Sequence, residues 1–226
     1  MKRENSLCFL LFLTFLFSAF LFSPIARCEL VSHFTFDGTL EDQGPGGNDG
    51  TFFGGEPVFV EGYDGTPNGA LSFDGIDDYV DVSHVSGLPI YAEPSFTIAL
   101  WVKGLPQPDR RVFSESSSTN NSPLFNIGTD SSGATGVVDI YIRADDGTQV
   151  VRHRKSVATA FDDEWHHICY VDDNGQVTLY IDGFVQQVNF SYTRPVLTVD
   201  RTTIGAIIRD ARTPVSYTHL TLPTKA

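Results

Sequence analysis

Carboxylates and histidines are the residues of this 226-residue chain whose spacing could do chemistry. Asp74, Asp77 and Asp78 fall within five residues, Asp74-Gly75-Ile76-Asp77-Asp78, and three carboxylates so close repel one another unless a cation or donor lies beside them. A metal or ligand at the rim of a fold is one reading. A solvated turn that fixes hairpin register is the other, with Gly75 permitting the reversal. Trp165-His166-His167 sets two imidazoles side by side, but neighbours on a strand point to opposite faces, so the pair cannot chelate one ion and reads as structural. Glycoside hydrolysis needs two carboxyl groups flanking the scissile bond. The alternating runs that supply them from one strand face, E-x-D-x-x-E or E-x-D-x-E, do not occur, and Glu115, Glu164 and the Asp pairs lie near strand ends or turns. Nucleophile elbows, H-E-x-x-H helices and phosphate loops are also missing, so nothing in the sequence points to an enzyme.

The elements that would position these groups are strands. Apolar and polar side chains alternate at a period of two in Gly69–Val82, Ser95–Lys103 and Glu164–Gly183, and no helical periodicity competes. The pattern predicts strands over Leu30–Phe36, Ala70–Phe73, Tyr79–Ser83, Phe96–Lys103, Arg111–Glu115, Leu124–Ile127, Val137–Arg143, Gln149–Arg154, His166–Val171, Gln176–Ile181, Phe184–Phe190 and Thr203–Ile207. Asn174-Gly175 and Asp182-Gly183 are tight-hairpin dipeptides, and Asp145-Asp146-Gly147 serves a third turn. The resulting meander has Ile168, Tyr170, Val177, Leu179 and Ile181 available to line inner faces. Ser114–Ser122 reads as a polar surface loop, while Asn120-Asn121-Ser122 and Asn189-Phe190-Ser191 match the glycosylation pattern.

Lys2 and Arg3, the apolar run Leu7–Phe22, and Pro24 ahead of Ala26-Arg27-Cys28 predict a secretory signal peptide over residues 1–28, with a retained anchor as the alternative. Its removal leaves 12 basic and 27 acidic residues, so the product is expected to be secreted, extracellular or at the cell surface. It has no basic stripe for nucleic acid, and no membrane partner is expected once the signal is cut. Cys169 is then the one remaining thiol and reads as a buried core residue; a Cys28–Cys169 bridge is the alternative if cleavage falls before Cys28. About 185 residues remain, which suits one domain.

The segments GALSFDGIDDYVDV, SFTIALWVK and EWHHICYVDDNGQVTLYIDG together resemble the LamG-like jelly-roll domains, concanavalin A-like sandwiches related to laminin G, and the resemblance runs from Leu30 to about Arg212. It implies an all-β fold of two antiparallel sheets packed as a jelly-roll sandwich over residues 29–214. In the family pattern an aromatic strand ends in an acid, and a second Asp and a small-residue loop closing on Asn-x-Gly follow. Phe36-Asp37, Asp42 and Asn48-Asp49-Gly50 take those places here. The resemblance therefore makes Asp37, Asp42 and Asn48 candidate ligands of a structural calcium ion, Ca2+, which binds through oxygen. The other reading is that they are Asx-turn residues bonded to their own backbone. The resemblance further implies a non-catalytic binding or adhesion module for an extracellular glycan or protein, with a carbohydrate-binding module of a glycoside hydrolase and a structural spacer as alternatives. Exposed aromatic rings on one face favour a sugar ligand; a uniformly polar surface favours the spacer. Val215–Thr224, VSYTHLTLPT, resembles one reading frame of a transposase adapter used in preparing sequencing libraries, so residues 215–226 are expected to be foreign and the domain to lack its last strand.

Overall fold

The computed structural model describes residues 29–82, 84–186 and 189–209. The expected signal peptide and the stretch from Val215 lie outside them. Fourteen strands carry the described chain: β1 (Gly50–Phe53), β2 (Val58–Val60), β3 (Ala70–Ser72), β4 (Tyr79–Val82), β5 (Ser95–Val102), β6 (Arg111–Ser116), β7 (Leu124–Thr129), β8 (Val137–Arg143), β9 (Gln149–Thr159), β10 (His166–Asp173), β11 (Gln176–Ile181), β12 (Phe184–Val185), β13 (Phe190–Ser191) and β14 (Arg201–Ile204). One antiparallel sheet of seven strands runs β1-β4-β14-β6-β7-β8-β9, and a second holds β12-β11-β10-β5 with β13 also on β11. β2 and β3 pair separately.

The core is the space between the two larger sheets. Phe125 of β7 meets Tyr170 of β10 at 5.3 Å between ring centroids and Phe96 of β5 at 5.8 Å, an edge-on contact. Burying each such aromatic stabilises the fold by roughly 1.5–3 kcal/mol, which is why strands from both sheets must face one another. Ile168, Tyr170, Val177, Leu179 and Ile181 of the meander all point into this layer, as their alternation requires. Asn174-Gly175 and Asp182-Gly183 adopt positive φ at both positions (50° and 87°, 51° and 78°), the geometry that closes a two-residue hairpin without splaying its strands.

The differences from the sequence reading are local. Leu30–Phe36 is not a strand: its backbone bonds the following loop, with Gly46 N–H donating to Val31 and Gln43 N–H to His33, while Phe34 and Phe36 are buried. Phe184–Phe190 is interrupted, because only its two ends pair with β11. The Asp74–Asp78 turn sets no hairpin: β3 pairs with β2, β4 pairs with β1 and β14, and the turn crosses between sheets. Cys169 is half-buried on the outer face of β10, since Ile168 and Tyr170 on either side of it occupy the core. Ser114–Ser116 belongs to β6 and is fully buried, so the polar loop begins only at Ser117.

Candidate functional site

Residues directly opposite each other in a sheet share a face. On the seven-stranded sheet, Glu115 lies opposite Phe125, and Phe113 opposite Ile127, on the side that faces the core. The residues between them face outward, and the register sets Asp81, Thr203, Ser114, Asn126 and Tyr141 in one row across β4, β14, β6, β7 and β8. A parallel row holds Arg111, Gly128, Asp139 and Lys155. At about 4.8 Å per strand, the first row spans roughly 19 Å.

This outer face carries polar atoms without partners. Ser114 Oγ, Asn126 Oδ1, Asp139 Oδ1 and Arg111 Nε are all buried and accept or donate no hydrogen bond. A buried acceptor or donor left alone costs about 1–3 kcal/mol, so four on neighbouring strands are a substantial local destabilisation that a ligand with matching groups would relieve. At the β14 end the face is overlaid by Gly205–Ile208: Gly205, at φ 85°, reverses the chain, and the hydroxyls of Thr203 and Ser116 donate to the carbonyls of Ala206 and Ile208. At the β8–β9 end Tyr141, Arg143, His153 and Lys155 are only half-buried and wall the polar floor. The Tyr141 and His153 rings lie 4.9 Å apart, tilted by 39°. Asp139 Oδ2 sits 2.6 Å from His153 Nδ1. Burial pushes the Asp139 carboxyl upward, and His153, Arg111 and Lys155 only partly counter it. Gly128 is fixed by close approach, since a Cβ there would lie 2.0 Å from the Arg110 carbonyl oxygen.

Sequence reasoning missed this constellation. Ser114 was assigned to a surface loop, and Asn126 and Asp139 are single polar residues inside apolar strands, LFNIGT and VVDIYIR. Those interruptions are the one signal that could have found them.

Glu115 faces the opposite way, into the sandwich, and is completely buried. It accepts N–H bonds from Ile90 (2.6 Å) and Tyr91 (2.9 Å) at the start of a short 3-10 helix, Ile90–Ala92, and a hydroxyl bond from Thr202. Burial drives its pKa up to about 7 against these bonds. Nearby, Asp172 anchors the last crossing of the chain, accepting from Tyr192 Oη at 2.5 Å and Arg194 Nη1 at 2.8 Å while the guanidinium lies 4.1 Å over the Tyr91 ring.

The outer face of the other sheet offers Trp101 and His167, with ring centroids 5.2 Å apart. Tyr63 already stacks on Trp101 at 4.1 Å and 9°, so that aromatic surface is taken by the chain itself. His166 and His167 diverge as their strand positions require: His166 bridges Asp162 and Asp182, whose carboxylates hold its pKa up although burial opposes them.

The residues assigned to calcium are placed as follows. Asn48 is fully buried, donates to Ser32 Oγ and the Ser86 carbonyl, and accepts from Val85 and Ser86 N–H, so both lone pairs of its amide oxygen are occupied. Asp42 Oδ1 accepts from His33 and Gly44 N–H and Oδ2 from Asn48 N–H. Burial alone would raise the Asp42 pKa, but these amides outweigh it and hold it low. Asp37 is exposed. A carboxamide with no free oxygen lone pair and a carboxylate spanning three amides do not fit a cation, and the pattern is that of backbone-bonded turn residues. Asp74, Asp77 and Asp78 bring carboxylate oxygens within 4.8 Å of one another, but Asp74 Oδ1 accepts from Ile76 N–H at 2.8 Å and Asp78 Oδ2 from Asp74 N–H at 2.8 Å.

No curated protein matches the chain in sequence. Among solved structures, domain 4 of AbnA, an extracellular GH43 arabinanase of Geobacillus stearothermophilus in complex with arabinotriose, is similar at TM-score 0.61 and 19% identity, covering 86% of this chain and 92% of that one. The CBM40 of a Ruminococcus gnavus IT-sialidase, bound to α2,3-sialyllactose, has TM-score 0.54 and 14% identity over 68% and 88%. A structure of botulinum neurotoxin type C, whose cell entry depends on two ganglioside molecules, has TM-score 0.58 and 12% identity; 86% of this chain spans 47% of that one. At such identities the likeness is one of fold. With residues 73–217, more than half its length, matched by the laminin G model, the chain belongs to the concanavalin A-like lectin/glucanases superfamily.

Proposed function

We propose that this chain is an exported, non-catalytic binding module for an extracellular glycan or protein, and that its ligand lies on the outer face of the seven-stranded sheet, against Asn126, Asp139 and Tyr141. The observation that carries the reading is the cluster of buried, unpartnered polar atoms on that face. Binding of arabinotriose and sialyllactose by similarly folded modules supports a glycan. The half-buried Tyr141 ring beside a hydrogen-bonding floor supports it too, since sugars pack an apolar face on a ring while their hydroxyls find polar partners.

Catalysis is disfavoured by distance. Two carboxyls on the outer face have raised pKa values through burial, Asp81 and Asp139, which would suit a proton donor. They stand four strands apart, about 19 Å, whereas a glycosidase pair needs about 5–9.5 Å. Glu115 faces the core, where no substrate reaches it. The test is retention of the purified chain on a panel of insoluble polysaccharides, with reducing ends assayed in the same tubes. Retention without release is expected. Release of reducing ends that an Asp139→Asn or Glu164→Gln change abolishes would overturn the non-catalytic reading.

A further inference from the structure

We infer that the outer-face site, taken as the binding site proposed above, selects neutral, polyhydroxylated sugars and rejects carboxylated or sulfated ones. The unpartnered atoms decide the sign of the ligand. Asn126 Oδ1 and Asp139 Oδ1 are pure acceptors, Ser114 Oγ can accept or donate, and Arg111 Nε is the single obligatory donor. A ligand that satisfies them must bring mainly O–H or N–H donors. Neutral sugars carry such hydroxyls in abundance, and a carboxylate or sulfate carries none.

An anionic sugar is best held by an open guanidinium fork, which grips two oxygens at once. The forks at this face are already committed. Arg143 donates through Nε to the Ser122 carbonyl and through Nη2 to that of Asn121, each at 2.6 Å. Arg111 donates through Nη1 to the Arg110 carbonyl and through Nη2 to Asp109 at 2.6 Å. Lys155 lies directly across from Asp139, whose charge it offsets, and the charge of Arg201 falls on Asp81. With those cations matched and the Asp139 carboxylate in the floor, an incoming anion meets net repulsion. A chain of formal charge -13 adds to it at long range.

The experiment is calorimetric titration of the full chain with soluble neutral polymers (arabinan, galactan, mixed-linkage β-glucan) and acidic ones (polygalacturonate, hyaluronan, α2,3-sialyllactose), at low and at high salt. The same titrations are run on Asn126→Ala and Asp139→Asn, with melting curves to establish that both fold. The expected result is binding to at least one neutral polymer with affinity changing less than threefold with salt, weakened tenfold or more in both variants, and no binding to the acidic set. Tightest binding to an acidic glycan, falling steeply with salt yet lost in Asn126→Ala, would overturn the ligand class and leave the site standing. Binding to a neutral polymer that neither folded variant weakens would overturn the site itself. Binding to no neutral polymer would also contradict the inference.

Discussion

Glu115 shows how far a single residue's burial can set the behaviour of the molecule. Its carboxyl bridges β6 to the 3-10 helix by two amide bonds and one hydroxyl bond, inside a core that favours its neutral form. A folded pKa raised from 4.5 to about 7 means that the folded state holds a proton that the unfolded state releases between those values. Its contribution is therefore complete below pH 4.5, declines as pH rises through the interval, and is gone above about 7. Glu115→Gln removes the titration and leaves one amide facing an N–H it cannot accept, at a cost of about 1–3 kcal/mol. The variant should melt lower than the parent at pH 5, with the gap narrowing by pH 8. A gap that widens with pH would show that Glu115 is held as a carboxylate.

Among elements, the loop that follows the buried Phe34 and Phe36 depends on one side chain. Asn48 ties Ser32, Val85 and Ser86 together, joining the entry segment to the loop after β4. Asn48→Ala leaves the two amides and the Ser86 carbonyl without this partner, a loss of about 3 kcal/mol. For a domain of this size that lowers the melting temperature by about 6–12 °C. Because Asn48 and Asp42 are bonded to backbone, calcium and chelator should leave the melting temperature of the parent chain unmoved; a calcium-dependent rise of several degrees would restore the ion. The family resemblance found these residues and assigned them a cation, since Asp and Asn serve oxygen ligation and turn capping equally well in sequence. The difference lies in which donors fold around them, and Ser32, Val85 and Ser86 reach Asn48 from sequence separations of 16, 37 and 38 residues.

At the scale of the whole molecule, periodicity revealed most of the fold because every long strand buries one face and leaves a period-two trace. It failed where a segment is buried without pairing, as at Leu30–Phe36, and where strands are too short to alternate, as at β2 and β12. The candidate site was not legible, because Ser114, Asn126 and Asp139 come from three strands and meet only through register. Each alone looks like a defect in an apolar run. The all-β sandwich fixes which two faces could bind, and one of them has its Trp101 ring covered by Tyr63. The claim that the other face is the one used is tested most directly by backbone NMR of the labelled chain titrated with whichever ligand the panel retains. The account predicts that amide shifts concentrate at Ser114, Asn126, Asp139, Tyr141 and His153 on β6 to β9; shifts confined to Tyr63, Trp101, His167 and Tyr180 on the opposite sheet would contradict it.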